Sequence, residues 1–266
     1  MNDASTNHPV TGEPMPAATP AATMVIFHKD PDGGPPKILM MERTKTMAFA
    51  GGAAVFPGGK VDAADFEYAR SLCHDLDVDE VAARLAAIRE TLEEAGLALA
   101  LSDVNDPADC NDARAALHAG EPLSAVCERY GWTPQLEMLV PWSRWRPPNL
   151  ETRVFDTRFY LVDAGDVQLN AVVDATENTS LFWASAREVL DLTAQNKVKV
   201  IFPTRRNLER LALFDSFSDA AAHAAKHPVE TVLTYIEQRG EERWLCIPDG
   251  HGYPILEESF SSAMRG

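Results

Sequence analysis

RETLEEAGL, Arg89 to Leu97, places three glutamates, Glu90, Glu93 and Glu94, within five residues. On a helix, residues three and four apart are surface neighbours, so Glu90 faces both of the others on one side. Each like-charge contact of that kind costs about 0.2 to 0.5 kcal/mol unless something positive lies between the partners. A divalent cation among the three carboxylates is one solution. Glutamate is also a good helix former, and runs of it on solvated faces are common, so this stretch alone leaves both readings open.

Outward from it, DEVAARLAAIRETLEEAG (79–96) sets Val81, Leu85, Ile88 and Leu92 at spacings of four, three and four, which predicts a helix with one apolar face. Gly96 suits its C-cap, after which LALAL (97–101) reads as a strand. Upstream, MVIF (24–27) and KILMM (37–41) flank HKDPDGGPP, whose Asp-Gly-Gly and Pro-Pro mark a turn, so a hairpin is expected. AAVF (53–56) continues the apolar theme and stops at Pro57-Gly58-Gly59. Downstream, NDARAALHAG and EPLSAVCERYG predict two short helices, broken at Gly120-Glu121-Pro122. QLEMLV (135–140), RVFDTRFYLVDA (153–164) and LFWAS (181–185) read as strands. Ser185 then caps a helix, with Glu188 as its capping-box partner. From near Phe202 the chain reads mainly as helices, ending in a strand-like RWLCI (243–247) and an irregular tail. Strands that pair locally, alternating unevenly with helices, predict a mixed sheet with helices on its faces.

The 266 residues are 45% apolar, enough for a sizeable core. Forty acidic against 24 basic residues give a formal net charge of -16, spread along the chain. That charge argues against nucleic acid and anionic membrane surfaces as partners, since both require basic patches. Cys73, Cys110, Cys127 and Cys246 have neither CxxC nor metal-ligand spacing and read as buried or surface thiols in a reducing compartment. The first 22 residues, rich in Pro, Ala and Thr, read as a disordered tail without the features of a secretory signal. No apolar run approaches the roughly 20 residues a bilayer span needs, and the final AMRG shows no SKL-like address. A cytoplasmic protein is expected.

FPGGKVD (56–62) and RETLEEAGL together resemble the box of the Nudix hydrolases. That box runs Gly, five residues, Glu, seven residues, Arg-Glu, an apolar residue, any residue, Glu-Glu, any residue, Gly and an apolar residue. Gly59 opens it, and Arg89, Glu90, Glu93, Glu94, Gly96 and Leu97 match its second half. Thr91 stands at an apolar position and Asp65 at the position of the first Glu. Between Asp65 and Arg89 lie 23 residues rather than seven, an insertion of 16. Loop-closure entropy rises by only about 0.6 kcal/mol per doubling of length, so an excursion whose ends meet is tolerable.

The surrounding stretches, LMMERTKTMAFAGGAAVFPGGKVDAAD, FDTRFYLV, LFWAS and PTRRNLERL, are similar to the peroxisomal-type coenzyme A diphosphatases, which carry an interrupted box. A stricter coenzyme A signature asks for a second Arg five residues after the first; Arg43 can be the first, but Ala48 stands at the second. The resemblance implies an α/β fold, a Nudix-type α-β-α sandwich with a mixed sheet, a helical insertion and a helical C-terminal extension. Its expected organisation is a tail over 1–22, a hydrolase domain over 23–215 with insertions at 66–86 and 104–132, and a helical extension over 216–266 packed on the same domain.

The activity implied is metal-dependent hydrolysis of a diphosphate, in coenzyme A or acyl-coenzyme A, or in another nucleoside diphosphate derivative. A non-catalytic nucleotide-binding module is the other class. Mg2+ or Mn2+ would be held by Glu90, Glu93, Glu94 and the Gly59 carbonyl. Catalytic roles fall to Glu90, Glu93, Arg89 and, as a loop carboxylate, Glu177. Arg89 is expected to clamp the Asp65 loop, and Gly58, Phe56, Arg43 and Arg158 are the candidate substrate contacts. Trp142 and Trp145 read as packing residues. A homodimer is left open.

Overall fold

Strands β1 (Ala18–His28) and β2 (Lys37–Arg43) pair antiparallel, Phe27 opposite Ile38, as the Gly/Pro-rich turn between them requires. The computed structural model describes residues 7–44, 50–104, 106–147, 154–165 and 178–263. Next come β3 (Ala54–Val55), β4 (Gly58–Lys60), α1 (Ala63–Ser71), α2 (Val78–Ala95) and β5 (Leu101–Ser102). The middle of the chain holds α3 (Pro107–His118), α4 (Leu123–Tyr130), β6 (Thr133–Pro134), β7 (Val140–Trp145) and β8 (Val154–Asp163). Then follow β9 (Asn178–Ala184), α5 (Ala186–Ala194), α6 (Phe202–Leu211), α7 (Phe217–Lys226) and β10 (Thr231–Val232). Strands β11 (Tyr235–Arg239), β12 (Glu242–Cys246) and β13 (Glu257–Ser259) precede the short α8 (Phe260–Ala263).

The main sheet is mixed, in the order β10-β7-β8-β1-β2-β3, with β4 also on β1 and β9 also on β2. Its centre is the parallel pair β1 and β8, in register from Ala18 opposite Val154 to Phe27 opposite Asp163. Side chains alternate across these strands. Met24, Ile26, Leu39, Tyr160 and Val162 enter one core, with α1 to α4. Val25, Phe27, Ile38, Met40, Phe159 and Leu161 enter the other, with α5 to α7 and the C-terminal strands. Burial on both faces explains why these strands are nearly continuous apolar runs. The result is an α-β-α sandwich.

Helix α2 begins where Asp77 accepts a hydrogen bond from the Glu80 N–H and ends at Gly96, whose left-handed φ of 69° closes the last turn. Residues 66–86, expected as an insertion, are largely helical. Helix α1 carries the chain on to Ser71, and α2 starts at Val78, well upstream of Arg89, so the added residues form a helical pair against the same core. Residues 104–132, expected as a second insertion, include α3 and α4, which also pack there.

Four expectations are corrected. Residues 18–22, expected to belong to a disordered tail, are strand, because β1 starts at Ala18 and its backbone pairs with β4 and β8. Composition misleads there, since small residues suit a strand crowded from both sides; His8 is also buried, its Nε2 donating to the Thr234 carbonyl. LALAL yields only the two-residue β5, and QLEMLV is mostly a 3-10 turn at Leu136–Met138 with the strand in the tryptophan-rich segment after it. The C-terminal extension is helical only in α7 and α8; between them β11, β12 and β13 form a separate antiparallel sheet. Trp142 and Trp145 are packing residues, as read: Trp142 Nε1 donates to Asn207 and Trp145 Nε1 to Tyr253. Among the described residues no helix is long and apolar enough to cross a membrane.

Candidate active site

The last two turns of α2 face β4, and glycine is what lets the two meet. A Cβ on Gly59 would stand 2.3 Å from Glu90 Oε1 and 2.4 Å from its Cδ; one on Gly58 would stand 2.4 Å from the Ala22 carbonyl oxygen. Strand β4 is thus pinned between β1 and the glutamates. The Gly58 N–H donates to Glu94 Oε2 at 2.8 Å, tying the two halves of the box together.

Arg89 organises the rest. Its Nε and Nη2 donate to the two oxygens of Asp65 at 3.1 and 2.9 Å, and Nη2 also donates to the Lys60 carbonyl at 2.8 Å. Nη1 donates to Glu90 Oε1 at 2.9 Å and to Glu93 Oε2 at 3.4 Å. Asp65 lies in the first turn of α1, where its Oδ2 also accepts the Asp62 N–H at 2.9 Å. The shorter arm of Asp suffices here because α1 itself carries the carboxylate to the guanidinium.

One cation therefore serves several carboxylates. Burial works against the Arg89 charge, but Asp65, Glu90 and Glu93 outweigh it and raise its pKa. Burial pushes Glu90 up to about 7, against the pull of Arg89, and pushes Glu93 up as well. Glu94 rises to about 8, through burial and the neighbouring Glu90, against the Gly58 N–H, Arg43 and Asn178. Three carboxylates in excess of the one arginine that pairs with them, beside a glycine backbone, are what a hard divalent cation fits. Among the described residues, the one trio of ligand atoms all within 4.8 Å of one another is instead Glu237, Cys246 and Glu257. That trio already has its counter-ion, since Arg239 Nη2 lies 2.6 Å from both carboxylates.

The structure thus brings together Gly58, Gly59, Asp65, Arg89, Glu90, Glu93 and Glu94, with Arg43 acting electrostatically on Glu94. Two of the candidate substrate contacts have other partners in the structure. Phe56 is buried edge-on against Phe159 in the core beneath α5 to α7. Arg158 pairs with Glu80 of α2, Nε to Oε2 at 3.2 Å, because β8 presents it to the N-terminal turns of that helix. Glu177 lies outside the described residues. One contributor was missed, Arg114 of α3, whose Nε and Nη2 donate to the Glu93 and Glu94 carbonyls at 2.7 and 3.0 Å and cap the helix. No local pattern marks Arg114, since its partners come from a different segment.

A glycine strand held against an arginine-tethered glutamate helix, on a mixed sheet between helical layers, defines the Nudix class of hydrolases. The family model described as NUDT19 Nudix domain matches residues 69–211, just over half of the chain. The protein belongs to that family and is a Nudix hydrolase. A solved NUDIX hydrolase from Alicyclobacillus acidocaldarius is 29% identical, with a TM-score of 0.68, over 78% of this chain and 97% of that one. Relatives named acyl-coenzyme A diphosphatase NUDT19, from Gallus gallus and Homo sapiens, are 27% and 26% identical over 79% of this chain and 68% and 67% of theirs.

Proposed function

We propose that the protein hydrolyses the diphosphate of coenzyme A or an acyl-coenzyme A, giving 4'-phosphopantetheine or its acyl form and 3',5'-ADP. The similarity to proteins named acyl-coenzyme A diphosphatase supports the substrate. One observation carries the chemistry: buried Glu94 and partly buried Glu90 and Glu93 stand together on one helix end, with Arg89 paired to Glu90 and Glu93, beside two glycines. A divalent cation bound there, Mg2+ or Mn2+ in this reading, would neutralise charge on the diphosphate and acidify the attacking water.

Within the chain, Glu90, Glu93, Glu94 and the Gly59 carbonyl would hold that cation. Arg89 keeps Asp65 and the Lys60 carbonyl in place behind it. Arg43, beside Glu94, binds a phosphate oxygen. Water attacks phosphorus, the bridging P–O bond breaks, and Glu177 accepts the proton. A cytoplasmic location stays part of this reading, supported by four free cysteines. A homodimer is not part of it.

Incubation with Mg2+ and a panel of coenzyme A, acyl-coenzyme A, ADP-ribose, NADH and dinucleoside polyphosphates, with products identified by mass, tests the proposal. Release of 4'-phosphopantetheine and 3',5'-ADP is expected. Turnover of another panel member alone would overturn the substrate.

A further inference from the structure

Asn178 opens β9 and is 1% exposed, yet neither atom of its amide completes a hydrogen bond among the described residues. Leaving both ends of a buried carboxamide unmet costs stability, and an apolar side chain of the same shape would avoid that cost. Packing alone therefore does not account for an asparagine here. Its position suggests what does. Asn178 stands opposite Arg43 across the β2–β9 ladder, directly after the register shift between Glu42 and Arg43. Irregularities of that kind re-aim side chains beside functional sites. Burial and Glu90 raise the pKa of Glu94, and Arg43 and the Asn178 side chain oppose that rise. Glu94 Oε2 already accepts the Gly58 N–H, and a carboxylate has lone pairs for further donors.

We propose that Asn178 is a positioning residue of the metal site: its amide N–H donates to the ionised Glu94 carboxylate and, together with the Gly58 N–H, fixes that carboxylate for a divalent cation. The inference rests on the proposed function and extends it to a residue outside the box. Partners that orient a metal-ligating carboxylate typically contribute about 10- to 100-fold to metal affinity.

The test uses the full chain and Mn2+ alone, with bound metal read from the loss of the free-ion EPR signal, and thermal midpoints measured without metal. Asn178→Leu, which keeps the shape and removes the amide, is expected to keep or raise the midpoint while weakening Mn2+ binding at least tenfold. Asn178→Ala should weaken binding equally and serves if the leucine variant does not fold. Mn2+ affinity equal to the parent's in a folded variant would overturn the inference and leave the proposed function standing. A parent chain that binds no Mn2+ would sink both.

Discussion

Asp65 and Arg89 close a two-pronged ion pair, 3.1 and 2.9 Å, across an insertion that the rest of the box does not register. Both side chains are almost fully buried, so the pair is held out of water. Removing one partner of such a pair typically costs about 3 to 5 kcal/mol, because the other charge is left stranded. Arg89→Ala should therefore lower unfolding stability by about that amount in urea titrations. A loss under about 1 kcal/mol would show that Asp65 finds another partner.

Glu93→Gln and Glu94→Gln should each reduce turnover by about 10²-fold or more while the circular dichroism spectrum is retained. Each keeps the shape and removes a charge that the cation and diphosphate need. Undiminished activity with Mg2+ present would defeat the assignment of these residues.

Metal-free stability should fall as pH rises from 6 to 9. Glu90 and Glu94, raised to about 7 and about 8, stabilise the fold while protonated, and that contribution is lost as pH climbs through those values. A divalent cation binds the ionised forms, so the rise in melting temperature on adding Mg2+ should be larger at pH 8.5 than at pH 6. A double Glu90→Gln, Glu94→Gln variant should flatten both trends. Equal Mg2+ shifts at the two pH values would contradict this.

The two box glycines should fail differently. Gly58→Ala drives a Cβ into backbone at Ala22 and Thr23, so β4 must leave β1, at an overpacking cost of about 1 to 3 kcal/mol. Gly59→Ala meets only the end of the Glu90 side chain, which can turn aside. It should leave the melting temperature nearly unchanged and weaken metal-dependent turnover. Thermal melts and activity on the same samples separate the two.

Local pattern made much of this protein legible. The helix of Arg89 to Glu94, the β1–β2 hairpin, β8, and the Ser185–Glu188 capping box all follow from periodicity or from residues three or four apart. Where interactions are not local, composition misled. Ala18 to Ala22 read as tail because their partners lie on β4 and β8, and the strands after α7 lacked a strong period because burial does not alternate along them: β11 runs from half-buried to exposed and β12 from exposed to buried.

The sequence by itself determined that three glutamates and an arginine share one helix end and that two glycines precede them, since helical spacing is a property of the chain. The fold alone decided which distant groups meet there. Arg158 was drawn to Glu80, Phe56 into the core, and Arg114 to the backbone of the glutamates. A side chain's charge is written in its residue type, whereas its partner depends on which strands and helices burial forces together.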